Sequence, residues 1–484
     1  MSDRFGFPRA ELRRRTLRGV LITGGFLVVI DGLVLIQGLV VTRLLGPGQI
    51  GLYGIVSTFV VSIVALKRVG IDEAFVAQEQ TDQELEFQRA FTLELIVGAV
   101  FTALICVLAP VVVTVYRDSQ LLGLTLALAY LPLTFALQAP MWIFQRQMDF
   151  ARQRSLQASQ LLVGLVVTVP LAAATDLGVW SIVVGQVAGY TASVGLGLAV
   201  SPYRPALRWD LTTARRYLRF SVPVLVSTVG TLVIATGSVL VFKLHGGLAA
   251  AGFITVAVTL TRYIDRADQI VTSSIYPAIC AIQDQPAAQR ELFEKSNRAT
   301  LAWVLPFAAG VVLFAPDVVT FVLGARWLGA VRLLQGLAIT GAIYQLGFNW
   351  FSFYRARGQT GPPAVESVVG AAAFCALAVP GLLLDGATGF VVGRILGTMI
   401  STAVRWAYVR RLLPGVRLWP LVGPALLPLA PAVAAVLVVR LAAWGGHRSL
   451  PQAIGELLLF IAVYGALVLR RERALIDELR TAIR

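Results

Sequence analysis

Runs of about twenty mostly apolar residues recur along the whole chain, and they constrain it more than any other feature. A membrane span takes about 20 such residues. Fourteen candidates can be read: 17–42, 51–66, 90–115, 121–144, 156–174, 179–200, 220–242, 247–261, 300–322, 329–351, 363–384, 388–409, 419–441 and 450–469. The second and eighth are short and run straight into charged residues. The chain is 57% hydrophobic and 14% charged, where a soluble domain carries about 25% charged residues. A soluble enzyme, a disordered protein and a nucleic-acid binder are therefore excluded. The expected fold is all-α and polytopic, with fourteen transmembrane helices.

The 41 basic and 26 acidic residues leave a net charge of +15. Placing the N-terminus in the cytoplasm and alternating sides puts 33 of the basic residues on the cytoplasmic side and seven on the other, with Arg394 inside a span. Such a bias obeys the positive-inside rule. It favours an even number of spans, a multi-pass protein of the bacterial cytoplasmic membrane, and both termini in the cytoplasm. Arg13, Arg14, Arg15 and Arg18 precede an apolar run too long for a signal peptide, so the first helix is read as retained. No loop is long enough for a separate domain.

Cys106, Cys280 and Cys375 lie within or beside apolar runs and read as small core hydrophobes. His245 and His447 fall at helix ends. No His/Cys cluster suggests a metal, and no cofactor is expected.

An internal repeat is visible. Arg43-Leu44-Leu45-Gly46 before the second span resembles Lys243-Leu244-His245-Gly246 before the eighth, at an offset of 200 residues. Tyr53 then pairs with Phe253. Six spans separate the copies, so both enter the membrane in the same sense. Parallel repeats of this kind form two lobes with the substrate between them. The expected organisation is a six-helix lobe over 1–200, a second over 201–417, a central cavity, and two further helices in 418–484.

Three stretches carry a family resemblance: Gln37 to Tyr53 (QGLVVTRLLGPGQIGLY), Ile275-Tyr276-Pro277-Ala278, and Val322-Leu323-Gly324-Ala325-Arg326-Trp327-Leu328 continuing to Arg355-Ala356-Arg357-Gly358. In this order they resemble the prokaryotic polysaccharide flippases of the multidrug/oligosaccharidyl-lipid/polysaccharide exporter superfamily, of the colanic and teichuronic acid export type. The resemblance implies transport of an undecaprenyl-diphosphate-linked saccharide from the inner to the outer leaflet, with membrane lipids as surroundings. Asp31 and the Gln359-Thr360-Gly361 turn depart from the pattern.

Two alternatives stay open at this stage. One is a cation-coupled drug exporter of the same superfamily, for which Asp31 is the feature. A carboxylate in mid-span is costly and marks a pathway or a relay for H+ or Na+, unless it pairs with Ser, Thr or Gln across the bundle. The other is a membrane polymerase or glycosyltransferase, but no long loop and no paired carboxylates supply acid–base groups. For the diphosphate, the candidates are Arg262 and Arg266, four residues apart and on one face of an α-helix, together with Arg394 and Arg68. By the repeat offset, Lys67 and Arg68 correspond to positions 267 and 268, so both lobes bring charge to the same depth. Arginine suits a diphosphate because its planar fork donates several hydrogen bonds at once. The alternative for these cations is a snorkelling helix end.

Overall fold

The structure is a computed structural model. It describes residues 9–67, 71–78, 82–147, 149–218, 222–282, 284–359, 361–443 and 448–473. The bilayer offers no hydrogen bonds to backbone groups, so an apolar span closes its own ladder as a helix. All regular elements among the described residues are helical. They are α1 (Arg9–Lys67), α2 (Ile71–Ala77), α3 (Gln83–Tyr116), α4 (Gln120–Leu128), α5 (Leu131–Leu137), α6 (Pro140–Arg146), α7 (Phe150–Ala174), α8 (Trp180–Val200), α9 (Leu211–Leu218) and α10 (Val222–Thr261). A 3-10 turn over Arg262–Asp265 leads to α11 (Arg266–Ala281), α12 (Pro286–Asp317), a π-helical turn over Val318–Leu323 and a 3-10 stretch over Ala325–Ala330. Next come α13 (Val331–Tyr344), α14 (Trp350–Ala356), α15 (Gly361–Ala373), a second π-helical turn over Phe374–Ala378, α16 (Val379–Leu412), α17 (Trp419–Ala443) and α18 (Leu450–Arg471).

Eleven helical stretches among the described residues are long and apolar enough to cross a membrane. Three of them contain a break. Gly46 (φ 78°) interrupts α1, Gly247 (φ 72°) interrupts α10, and Asp385–Gly386 interrupts α16. Each of these is two helices joined at the break. Counting both sides gives the fourteen helices that the hydropathy pattern predicts. Glycine is needed at 46 and 247 because the left-handed φ is strained for a side chain bearing Cβ. Pro47 then occupies the opening turn of the next helix, where no intrahelical N–H bond is lost.

The chain divides into two compact units. The first holds residues 1–228 and 246–252, the second 229–245 and 253–484. Within the first, the starts of two helices meet through glycines. The carbonyl oxygen of Leu248 occupies the space a Cβ on Gly51 would need, and the carbonyl oxygen of Pro47 does the same at Gly252. The contact is reciprocal: Pro47 relates to Leu248 as Gly51 relates to Gly252, each pair 201 residues apart (248 less 47, 252 less 51). The two breaks, Gly46 and Gly247, share that spacing. The repeat read in the sequence is therefore present in register 201, not 200. Lys67 aligns with Asp268 and Arg68 with Gln269, so the repeat does not bring like charge to the two corresponding positions. The error has a simple source: Gly46 matches two adjacent glycines, Gly246 and Gly247, and only backbone geometry tells them apart.

A membrane fold turns its apolar surface outward. Leu384 is 86% exposed and Leu441 80%, while polar pairs collect inside. In the first unit Ile71, Phe75, Phe87, Ala90, Phe91, Trp142, Ile143 and Ala214 form a core where α2, α3, α6 and α9 meet. In the second, Phe293, Leu301, Trp350, Phe353, Val409 and Leu412 pack together from α12, α14 and α16. The pair α17–α18 docks on α12 through Phe314, Ala432, Val436, Phe460 and Tyr464. That docking also uses charge. Glu456, 2% exposed, accepts from Arg440 at 2.9 Å and Arg448 at 2.5 Å, and Arg448 reaches Asp317 at 2.9 Å. Arg298 binds Glu472 at 2.7 Å. Arg440 and Arg448 are two of the seven basic residues that the alternation of sides places away from the cytoplasm, and both have carboxylate partners.

Candidate functional site

The helix formed by the second half of α10 tightens into the 3-10 turn Arg262–Asp265 before α11 begins at Arg266. Arg262 is exposed. Arg266 is half-buried and donates to Gln269 Oε1 at 2.8 Å. The four-residue spacing no longer keeps the two on one face, because a 3-10 turn advances about 120° per residue rather than about 100°. Asp265, between them, accepts from Gln345 Nε2 at 2.8 Å, and Asp268 accepts from Thr272 Oγ1 at 2.7 Å. Burial pushes the Asp268 carboxyl above the usual carboxylate range; the Thr272 hydrogen bond opposes this, Asp265 adds to it, and Arg405 opposes it.

Arg405 on α16, 1% exposed, is a second centre. Its guanidinium donates to Glu366 Oε1 on α15 at 2.9 Å, to the carbonyl of Leu346 at 3.2 Å and to the carbonyl of Tyr344. The Tyr344 ring lies 4.4 Å from the guanidinium carbon and that of Trp350 5.9 Å. Asp265, Asp268, Glu366 and Arg405 are all electrostatic neighbours of Tyr344. One tyrosine thus stands among three carboxylates and an arginine drawn from α11, α15, α16 and the 3-10 turn.

Arg394 lies on α16 eleven residues before Arg405, about 16 Å along the helix. Tyr344 is its electrostatic neighbour as well, and its guanidinium faces the Phe374 ring at 5.6 Å. Its Nε is buried with no hydrogen-bond partner, and no ion pair among the described residues includes it. Among the described residues, the first unit carries a buried charge pair of its own. Lys67, 3% exposed, donates to Glu94 at 2.6 Å and to the carbonyl of Pro132 at 2.7 Å, with the Phe135 ring 4.9 Å away.

The structure therefore brings Arg262, Arg266 and Arg394 into one unit, where Arg262 is an electrostatic neighbour of Asp265 and Arg394 of Tyr344. Asp31 is half-buried on α1 and is engaged by a neighbour. Arg68 lies outside the described residues. Sequence reasoning missed the Arg405–Glu366 and Lys67–Glu94 pairs, counting Arg405 with the cytoplasmic-side charges and reading Lys67 as a charge at the end of a span. A signal was present: Glu94 and Glu366 are carboxylates inside apolar runs, the same feature that singled out Asp31.

A family model described as polysaccharide biosynthesis protein matches residues 40–332, more than half of the chain. The lipopolysaccharide biosynthesis protein WzxC of Escherichia coli (strain K12) is 23% identical over 405 residues, which cover 82% of this chain and 81% of that protein. Among solved structures, the lipid II flippase MurJ in an inward closed conformation superposes with a TM-score of 0.72 at 12% identity, covering 93% of this chain and 100% of that one. An inward-facing multidrug resistance MATE family transporter of the MOP superfamily gives 0.67 at 14% identity over 78% and 93%. At these identities the likeness shows a shared fold.

Proposed function

Since the chain belongs to the polysaccharide biosynthesis protein family, we propose that it moves a lipid-linked saccharide diphosphate from the inner to the outer leaflet of the bacterial cytoplasmic membrane, for assembly of a surface polysaccharide. A relative named for lipopolysaccharide biosynthesis and a structural neighbour named as a lipid II flippase support this reading. The residue-level observation that carries it is Arg394. A guanidinium within a span is costly unless an anion compensates it, and Arg405, the buried arginine on the same helix, has its carboxylate, whereas the half-buried Arg394 has none among the described residues. A substrate diphosphate supplies the missing charge, and an arginine fork grips it through parallel hydrogen bonds. Arg262, exposed at the end of its helix, and Arg266 then meet the diphosphate before Arg394 does, and Arg68 is kept as a further candidate cation.

The same reading puts both termini in the cytoplasm and takes 1–200 and 201–417 as the two lobes, with 418–484 appended. H+ or Na+ is taken as the driving ion, with Asp31 as its site. The test combines a gene deletion with point variants. Deletion should leave complete lipid-linked saccharide on the inner leaflet. Arg394→Gln, at normal protein level, should reproduce that build-up, and Arg394→Lys should do so partially. Full export by the triple Gln variant at 262, 266 and 394 would show that the diphosphate is held elsewhere. Normal lipid-linked pools after deletion, with raised drug sensitivity, would overturn the function itself.

A further inference from the structure

The first unit contains a chain of neutral polar side chains that no charge argument uses. Gln186, Tyr190 and Ser193 follow one another along one face of α8, spanning about 10 Å at the α-helical rise. Gln186 Nε2 donates to the Tyr53 hydroxyl on α1 at 2.6 Å. Tyr190 is hydrogen-bonded to the Gln160 amide on α7 and packs edge-on against Tyr130, with ring centroids 6.1 Å apart. Gln138, in the turn between α5 and α6, donates to Gln160 Oε1 at 3.0 Å and to Ser193 Oγ at 3.4 Å. Tyr130 itself sits in the turn between α4 and α5, within electrostatic reach of Tyr53 and Tyr190. Two atoms of this ladder stay unmet: the Tyr130 hydroxyl and Gln186 Oε1 are buried without a hydrogen-bond partner. Tyr53, Tyr130, Gln138, Gln160, Gln186 and Tyr190 are nevertheless each only half-buried, so part of every side chain remains open.

We propose that this tyrosine–glutamine ladder is where the saccharide of the transported lipid is read. The inference rests on the flippase reading for the class of ligand. The chemistry is carried by the residues. A transported cation or a proton relay calls for carboxylates, and this ladder has none. Phenol and amide groups both donate and accept, which matches sugar hydroxyls that do the same. Phenol rings also offer flat apolar faces to the C–H faces of a pyranose. An unmet donor and an unmet acceptor inside a membrane bundle are expensive to keep without a ligand or water to satisfy them.

The test uses the full chain in lipid nanodiscs and two probes: undecaprenyl diphosphate, and the lipid-linked saccharide fraction extracted from the source strain lacking the gene. Wild type should bind the saccharide-bearing lipid more tightly than the bare diphosphate. Tyr130→Phe combined with Gln186→Met keeps the shapes and removes the two unmet groups. It should lower affinity for the saccharide-bearing lipid about tenfold, the effect of two modest hydrogen bonds, and leave bare diphosphate binding unchanged. Arg394→Gln should weaken both. Equal affinity of the double variant and wild type for the saccharide-bearing lipid would overturn the inference while leaving the flippase reading standing. Should the double variant lose thermal stability, Tyr130→Phe alone, which removes one oxygen atom, carries the same comparison. Binding of neither probe by wild type would overturn both.

Discussion

Arg405 and Glu366 hold each other where water does not reach, and a buried pair of this kind is strained by the loss of either partner more than by the loss of both. Arg405→Met leaves the buried Glu366 without its counter-charge and should cost about 3–5 kcal/mol of unfolding free energy. Arg405→Met with Glu366→Leu should recover most of that, measured by denaturation in detergent. A double variant no more stable than the single would show that the arginine matters through its carbonyl contacts instead. Asp268 makes a pH prediction. Its carboxyl is raised above the usual range by burial, so the folded state keeps a proton that the unfolded chain has released. Stability should therefore fall as pH rises from the ordinary carboxylate pKa through the raised one. Asp268→Asn should flatten that fall in melting curves between about pH 4 and 8; an unchanged slope would assign it to other groups. These residues were half legible. Arg262, Arg266 and Arg394 stand out as cations near or inside apolar runs. Arg405 and Lys67 did not, because a cation at the edge of a span and one folded back into the bundle have the same sequence neighbourhood.

At the level of elements, the helix starts after Gly46 and Gly247 allow a sharp comparison. Gly51 and Gly252 have a facing carbonyl where Cβ would go, whereas Gly48, three residues before Gly51, has open space. Gly51→Val or Gly252→Val should force the two starts apart and lower the melting temperature and yield, while Gly48→Ala should be neutral. Equal tolerance at 48, 51 and 252 would mean that the contact is not maintained in the membrane. Glycines do the same work inside the second unit, where Gly381 and Gly389 each face the other's carbonyl across the Asp385–Gly386 turn. The spans themselves were legible, since twenty apolar residues leave a chain little choice. The breaks within them were less so. Pro132 and Pro140 hint at the division of the fourth span into α4, α5 and α6, but the π-helical turns at Val318–Leu323 and Phe374–Ala378 have no mark that hydropathy can see. The Gln186–Tyr190–Ser193 face was visible as polar residues at helical spacing in an apolar run, and a search restricted to charge passes over it.

The whole molecule has a net charge of +15, and the proposed topology follows from placing most of its cations on the cytoplasmic side. Reporters fused to either terminus should be active only in the cytoplasm; a periplasmic reporter active at the C-terminus would refute the fourteen-span arrangement. The departures from the rule are instructive, because Arg440 and Arg448 end beside Glu456 and Asp317. Glu456→Gln should loosen α17 and α18 from α12 and expose the α12 face carrying Phe314 to proteolysis or labelling, with the rest of the second unit intact. The same network has a consequence in time. Asp317 leaves the ribosome 131 residues ahead of Arg448, which at 5–20 residues per second is about 7–26 s of synthesis. Through that interval α12 stands with an acidic group whose counter-ion has not yet been made. The arrival of α17 and α18 therefore neutralises α12, and a nascent chain stalled before them is marked by an uncompensated carboxylate at Asp317.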